Sequence, residues 1–161
     1  MPGPESTLRV TVGGVSLRLP RTAARVPGRP VDSAAAVYEG GGVTVIVDAG
    51  PFADRLDSHV GAPGYAESVQ HVAGLPARQV TFSDPGDGTR TTAVHVAAEQ
   101  PFTVVVRTDA SVPPGTARQI IHSVRWHAPR PEGGGPRGPG EAAHRPDDPG
   151  DPALDADRRP E

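Results

Sequence analysis

The chain has 161 residues, a net charge of −3 and no cysteine, which excludes disulfides, thiol catalysis and cysteine-ligated zinc. Its 35% hydrophobic residues, 20 glycines and 20 prolines predict a modest core beside an unstructured portion. The charge balance gives no general attraction to nucleic acid, and no apolar run approaches the ~20 residues that span a bilayer. Because the first residues lack the pattern of a signal peptide, we expect a cytoplasmic protein without membrane insertion.

The first predicted element is a hairpin over residues 8–19. Gly13-Gly14 suits a two-residue turn, because glycine accepts positive φ at both positions. This turn places the apolar residues of both arms on one face: Leu8, Val10, Val12, Val15, Leu17 and Leu19. The same register sets Arg9 opposite Arg18 on the outer face. This is a repulsive pair unless an acidic neighbour or partner lies there, so both arginines are candidate binding residues.

A second hairpin is predicted around the three glycines at 40–42. A loop of these three residues pairs Val37 with Val45, so that the valines share one face of a one-sided antiparallel sheet. The same register directs Tyr38 to the exposed face. We therefore select Tyr38 as a candidate binding residue.

A third hairpin is predicted further along, with a three-residue loop at 99–101 that pairs Val96 with Val104. The residues between the valines then lie on the exposed face: His95, Val105 and Arg107. We take His95 and Arg107 as candidate binding residues. A lone histidine on a strand is nevertheless more often a surface residue than a ligand or a base.

The stretch SDPGDGTR at 83–90 has the composition of a cation loop but not its spacing. Asp84 and Asp87 are three positions apart, whereas a calcium loop alternates oxygen ligands and adds a distant bidentate glutamate. We interpret the stretch as a hairpin turn and predict neither a metal site nor a cofactor. Its loop should have an odd length, because Val80 and Phe82 must share a face with the valines of the next strand.

Two segments predict helices. Between 113 and 126, apolar residues recur at the spacing i, i+3, i+4 and i+7: Ala117, Ile120, Ile121 and Val124. Residues 51–60 predict a shorter helix with Phe52, Leu56 and Val60 on one side. We therefore expect an α+β fold, an antiparallel meander sheet with one face covered by a C-terminal helix and by the short middle helix.

The composition changes after Trp126. Residues 129–161 contain eight prolines and six glycines, and Leu154 is their single large aliphatic residue. Such a segment cannot bury enough apolar area to offset its ordering entropy, so we predict a disordered acidic tail. The expected organisation is a flexible N-terminus at 1–6, one α+β domain at 7–128 and this tail.

Sequence motifs of catalysis are missing. The chain has no G-x-S-x-G nucleophile elbow, no phosphate loop with lysine and no pair of histidines at zinc-hydrolase spacing. A carboxylate pair for glycoside chemistry stays open, because spacing in sequence does not give distance in space. Enzymatic activity is therefore not indicated.

The order of the segments VSLRLP, VTVIVDAGPFADRL, GLPARQVTF and RQIIHSVRW resembles the PsbP-like and DcrB-like superfamily of small α+β proteins. In that family the last helix typically runs into a serine and a final short strand, which Ser123 to Trp126 match. The family's tryptophan after the first LP is replaced here by RTAARVPG. The resemblance implies a non-catalytic accessory or partner-binding role, and it transfers no catalytic residue.

The leading hypothesis is a non-enzymatic accessory or scaffold module that binds an unknown protein partner. Its candidate residues lie on predicted outer faces: Arg9, Arg18, Tyr38, His95 and Arg107. The alternative is a small-molecule-binding protein or hydrolase with a pocket between the sheet and the loop at 49–75. The residues expected to line that pocket are Phe52, Tyr65 and His71.

Overall fold

The computed structural model describes residues 7–28 and 34–128 of the chain. Strands make up 52% of these residues and helical turns 9%, and the strands form two antiparallel sheets. The expected α+β fold with a covering C-terminal helix is therefore wrong, because the domain is mostly β. The predicted N-terminus at 1–6 and tail at 129–161 lie outside the described residues.

Ten strands, one α-helix and one 3-10 turn occur within the described ranges. They are β1 (Thr7–Val12), β2 (Val15–Pro20), β3 (Ala24–Val26), β4 (Ala34–Gly40), β5 (Val43–Ala49), the 3-10 turn (Asp57–His59), β6 (Ala66–Val72), β7 (Leu75–Ser83), β8 (Arg90–Val96), β9 (Phe102–Thr108), α1 (Thr116–His122) and β10 (Arg125–Trp126).

The larger sheet has seven strands in the order β3-β4-β5-β9-β8-β7-β6, and the smaller has three in the order β1-β2-β10. The main core lies between them. It is rich in valine because β-branched side chains fit a pleated surface. Its buried members include Val15, Leu17 and Leu19 of β2 together with Val45 and Val104 of the large sheet.

The helix α1 has seven residues, so it is ~10 Å long. Seven strands spaced ~4.8 Å apart are about 29 Å across, so a helix of this length cannot cover the sheet. Ile120 and Ile121 are buried as the spacing predicts. The smaller sheet covers much of the remaining valine face, and the helix is only one part of the covering layer.

The first hairpin has the predicted register. Val12 pairs with Val15 across Gly13-Gly14, and both glycines have positive φ. Arg9 pairs with Arg18, and both side chains are exposed.

The register predicted for the second hairpin is wrong by one residue. The turn is Gly41-Gly42, both with positive φ, while Gly40 continues the strand. Tyr38 therefore pairs with Val45 and is buried, with 8% of its surface exposed. Since a shift of one residue exchanges the two faces, Val37 takes the outer face that was predicted for Tyr38.

The third hairpin keeps the predicted faces with a different pairing. Its connection has five residues, 97–101, so Val96 pairs with Phe102 and Val94 with Val104. The shift from the predicted register is two residues, which preserves the faces. His95 consequently lies on the outer face, the side of the large sheet opposite the main core.

The prediction of an odd loop at 83–90 is wrong. Six residues, 84–89, connect β7 to β8, and Val80 pairs with Ala93. Both belong to a second buried cluster on the outer face, centred on Leu56. The prediction failed because it assumed one core, whereas apolar residues of this sheet face two.

The predicted middle helix is also wrong. Only the short 3-10 turn forms, and it begins after Leu56, whose φ of 69° is left-handed. Leu56 is fully buried, whereas Phe52 and Val60 are mostly exposed, so the three do not share a helix face. The loop that contains them crosses the outer face to reach β6 at the far edge of the sheet.

Within the ranges 7–28 and 34–128, no helix has the length and apolar character that crossing a membrane requires.

Candidate functional site

The sheet register brings four polar residues into one row on the outer face. Asp48 of β5 pairs with Thr103 of β9, Thr103 with His95 of β8, and His95 with Arg78 of β7. The loop over 50–65 passes across this polar row. Asp48 Oδ1 is buried without a hydrogen-bond partner in the described part of the chain.

Thr103 connects the row to the loop. Its Oγ1 donates a 2.6 Å hydrogen bond to the carbonyl oxygen of Asp54 and lies 2.9 Å from His95 Nδ1. Because the hydroxyl has one proton and a carbonyl can only accept, that proton belongs to the bond with Asp54. Nδ1 of His95 is therefore the donor to Thr103, and Nε2 carries the free lone pair.

This arrangement does not activate a nucleophile. A histidine that activates a hydroxyl accepts its proton, but here Thr103 donates to a backbone carbonyl. Burial lowers the pKa of His95, so the imidazole is neutral at pH 7. The polar row is thus suited to holding the loop against the sheet.

Arg78 at the end of the row makes a second attachment of the loop. Its guanidinium binds both carboxylate oxygens of Glu67 on β6, at 2.8 and 3.1 Å. Nη1 donates to Asp57 Oδ1 at 2.6 Å and to the carbonyl oxygen of Arg55 at 2.9 Å. Tyr65 completes this Arg78 cluster by donating to Glu67 Oε2 at 2.7 Å.

The cluster shifts the titration of its members. The hydrogen bonds from Arg78, and then the one from Tyr65, hold the pKa of Glu67 below its usual range. The bond to Glu67 is the main cause that raises the pKa of Tyr65. Hydrogen bonds to Glu67 and Asp57 raise the pKa of Arg78 further above neutrality. Glu67 is therefore ionised and bound at neutral pH.

The predicted pocket residues do not converge. Phe52 is 79% exposed, Tyr65 is occupied with Glu67, and His71 lies at the tip of the β6–β7 hairpin. Leu56 packs against the sheet in the space where the pocket was expected.

The loop at 83–90 borders a cleft of about 890 Å³ that is lined by four acidic residues and Arg107. The acidic residues are Glu39, Asp84, Asp87 and Asp109. The aspartates of the loop are engaged by its own backbone, since Asp84 Oδ1 accepts from Gly86 N at 2.7 Å and Asp87 Oδ1 from Thr89 N at 2.8 Å. Within the described residues, no three His, Asp or Glu side chains are grouped so that they could hold a metal ion. The aspartates act as turn residues.

The five candidate binding residues are thus placed apart. Arg9 and Arg18 lie together on the small sheet, His95 lies under the loop, and Arg107 borders the acidic cleft. Tyr38 belongs to the core. Sequence reasoning missed Asp54 and Arg78, because their contacts with the polar row depend on the path of the crossing loop.

The strand β6 is a further feature that sequence reasoning missed. It forms one edge of the large sheet and pairs with β7 through seven successive residues without a bulge. Most of its side chains are exposed, and Val69 is 78% exposed. Its outer row of backbone groups has no strand beside it in the described residues.

No known family model and no curated protein matches this chain. A similar solved structure, from Bacteroides thetaiotaomicron VPI-5482, is 9% identical with a TM-score of 0.48. The match covers 71% of this chain, and this chain spans 45% of the length of that one. Another is LpqN, involved in cell envelope biogenesis of Mycobacterium tuberculosis, at 14% identity and a TM-score of 0.39, covering 74% of this chain and 89% of LpqN. Likenesses at these values assign neither a family nor a function.

Proposed function

We propose that the protein is a non-enzymatic binding module that takes up an extended segment of a partner protein along β6. The observation that supports this most is the unprotected edge of that strand. Exposed edge strands are templates for pairing with another chain, and peptide-binding domains use them by adding a strand.

Natural proteins protect edges by shortness, prolines, bulges, or lysine and other charges. Ala66–Val72 has seven residues, no proline, no lysine and no bulge. Its one acidic side chain, Glu67, is paired with Arg78. At the other end of the sheet, β3 has only three residues. Within the described residues, the large sheet thus has one short edge and one open edge.

The Arg78 cluster supports β6 as a rigid template. Arg78 joins β7 to Glu67 on β6 and to the loop at Asp57, so the edge is fixed before any partner arrives. A template that is already ordered lowers the entropy lost on binding. The polar row ends at Arg78 and also holds the crossing loop against the sheet behind this edge.

The resemblance to PsbP-like and DcrB-like proteins points to an accessory, partner-binding role and stays a prediction. The cytoplasmic location also stays a prediction. The small-molecule or hydrolase alternative at the loop over 49–75 has less support, because Leu56 fills that space.

A selection of random extended peptides against the folded protein tests the proposal. The selected peptides should shift the NMR amide signals of β6, and Val69→Lys should weaken their binding at least about fivefold by restoring edge protection. Val69→Thr, which keeps a β-branched side chain, is the matched control and should bind as the wild type does.

Two proline variants test the backbone directly. Consecutive N–H groups of an edge strand alternate between its neighbour and solvent, so Ser68→Pro and Val69→Pro remove one inward and one outward donor. The variant that keeps its β7 pairing should fold and fail to bind peptides. Selected peptides that shift other strands, or a dimer of this chain that Val69→Lys abolishes, would overturn the proposal.

A further inference from the structure

We propose that the cleft between β2 and α1 is a binding site for a small amphipathic anion, a molecule with a carboxylate or phosphate head and an apolar body. The cleft has a volume of about 940 Å³ and is formed by β2, the turn after it, the glycine turn before β5, residues 111–113 and α1. None of its lining residues belongs to β6, and the proposal does not depend on the function proposed for that strand.

The charged residues of this basic cleft are all arginines. Arg18 and Arg21 lie on one side and Arg118 of α1 on the other, with His122 beside it, and none of the lining residues is acidic. Within the described ranges, none of the three arginines forms an ion pair with a carboxylate. Arginines that line one cleft without carboxylate partners favour an anionic ligand.

The acidic cleft has the opposite charge pattern, so charged residues are distributed unevenly over the surface. That cleft has four carboxylates and Arg107, whereas the basic cleft has three guanidinium groups, a histidine and no carboxylate. Residues 1–128 carry eleven arginines and eleven acidic residues and so have no net charge, which makes a cleft whose charged residues are all arginines a local departure. It attracts an anion to one place on a domain that is neutral on average.

The walls of the basic cleft are also apolar. Val43 and Ile120 are buried residues of the main core whose surfaces reach the cleft, and Val112 is half-buried beside them. A ligand of charge alone would leave these surfaces in contact with water. A ligand with an apolar body covers them, which adds a hydrophobic contribution to binding.

The two sides of the cleft are held in place by Ser123. Its hydroxyl accepts a 2.8 Å hydrogen bond from the backbone N–H of Arg18 and donates a 2.6 Å bond to the carbonyl oxygen of Ile120. The strand that carries Arg18 is therefore fixed against the end of α1. A cleft whose walls are already positioned loses less entropy when a ligand binds.

Calorimetry with four matched probes tests the chemistry of the ligand. Decanoate below its micelle concentration should bind, whereas acetate, which is the head alone, and decanol, which lacks the charge, should bind at least about tenfold more weakly. Decyltrimethylammonium, which carries the opposite charge, should not bind. Equal affinity for decanoate and decyltrimethylammonium would overturn the proposal.

Two arginine variants locate the site. Arg21→Gln and Arg118→Gln should each weaken decanoate binding about two- to fivefold, as expected for exposed charge pairs. Arg25→Gln, which removes an exposed charge outside the cleft, is the control and should change nothing. The NMR amide signals of Gly41, Val112 and Gln119 should shift with decanoate, and shifts confined to the outer face would contradict the assignment.

A comparison of soluble anions with anionic vesicles shows whether the ligand is a free molecule or a membrane surface. Decanoate and decyl phosphate are soluble anions, and vesicles of phosphatidylglycerol present the same chemistry at a membrane. Binding of either soluble probe with the Arg118→Gln effect supports the proposal. Binding to vesicles alone would show a surface interaction and would overturn the small-ligand site.

Discussion

Thr103 and Asp54 are 49 positions apart in the chain, and a 2.6 Å hydrogen bond from Thr103 Oγ1 to the carbonyl oxygen of Asp54 joins them. The same hydroxyl accepts from Nδ1 of His95. One side chain on a central strand thus holds the crossing loop and sets the tautomer of the histidine beside it.

Thr103→Val should destabilise the domain by about 1–2 kcal/mol, because it keeps the shape and leaves two partly buried polar groups without their partner. The Asp54 carbonyl and the His95 imidazole both lose a hydrogen bond. Urea unfolding measures the change. Thr44→Val, at a half-buried position on the same face, is the control and should cost less than the Thr103 variant.

Arg78→Lys should loosen the loop while the net charge stays the same. Lysine cannot bind both carboxylate oxygens of Glu67 and reach Asp57 as the guanidinium does. Trypsin should then cut after Arg55 at least roughly threefold faster, because local opening exposes the bond. Arg107→Lys at the acidic cleft should leave that rate unchanged. Equal rates in both variants would contradict the clamping role of Arg78.

The contribution of Glu67 to stability should disappear in acid. Arg78 lowers the pKa of Glu67 in the folded protein below the unfolded value of ~4.3. The stabilisation is therefore complete above that value and is lost as the pH falls through the lower, folded pKa. The difference in unfolding free energy between wild type and Glu67→Gln should be constant from pH 5 to 7 and decrease below about pH 4. A difference that does not change with pH would contradict this.

The register of the second hairpin can be tested by comparing neighbours. Tyr38 is buried and Val37 is half-buried on the outer face. Tyr38→Ala should cost about 3–5 kcal/mol and Val37→Ala about 1 kcal/mol in urea unfolding. The reverse order would support the pairing of Val37 with Val45 instead of the observed one.

Gly40 should not tolerate a side chain. A Cβ there would lie 1.8 Å from the backbone carbonyl oxygen of Thr22, which cannot rotate away as a side chain does. Gly74 has a φ of 77°, and a Cβ added there would meet no atom within 4 Å. Gly74→Ala therefore measures the strain of the left-handed backbone alone, ~1–2 kcal/mol. Gly40→Ala should lower the thermal midpoint clearly further than Gly74→Ala does.

How far the sequence predicts this fold depends on the turn in question. Gly13-Gly14 admits one two-residue turn, and the predicted register of the first hairpin is confirmed. Three consecutive glycines at 40–42 leave open which two make the turn, and the choice decides whether Tyr38 or Val37 is buried. Periodicity gives the spacing of apolar residues but not the number of loop residues.

The candidate site was harder to predict than the strands. His95 was correctly placed on the outer face, but Asp54, which accepts a hydrogen bond from the Thr103 hydroxyl beside it, comes from a loop whose path no local pattern records. Val80 was assigned to the wrong face because a single core was assumed. The helix period found Ile120 and Ile121 but not the length of the helix, which tertiary packing determines.

The pairing of β5 with β9 has a consequence for how fast the protein can fold. Every other neighbouring pair in the large sheet is consecutive in the chain, so β3-β4-β5 and β6-β7-β8-β9 are two local units. Each can form by closing short loops, but the join between them requires closure over the whole second unit. Formation of the large sheet should therefore be governed by one non-local event, the pairing of Val45 and its neighbours with Val106 and its neighbours.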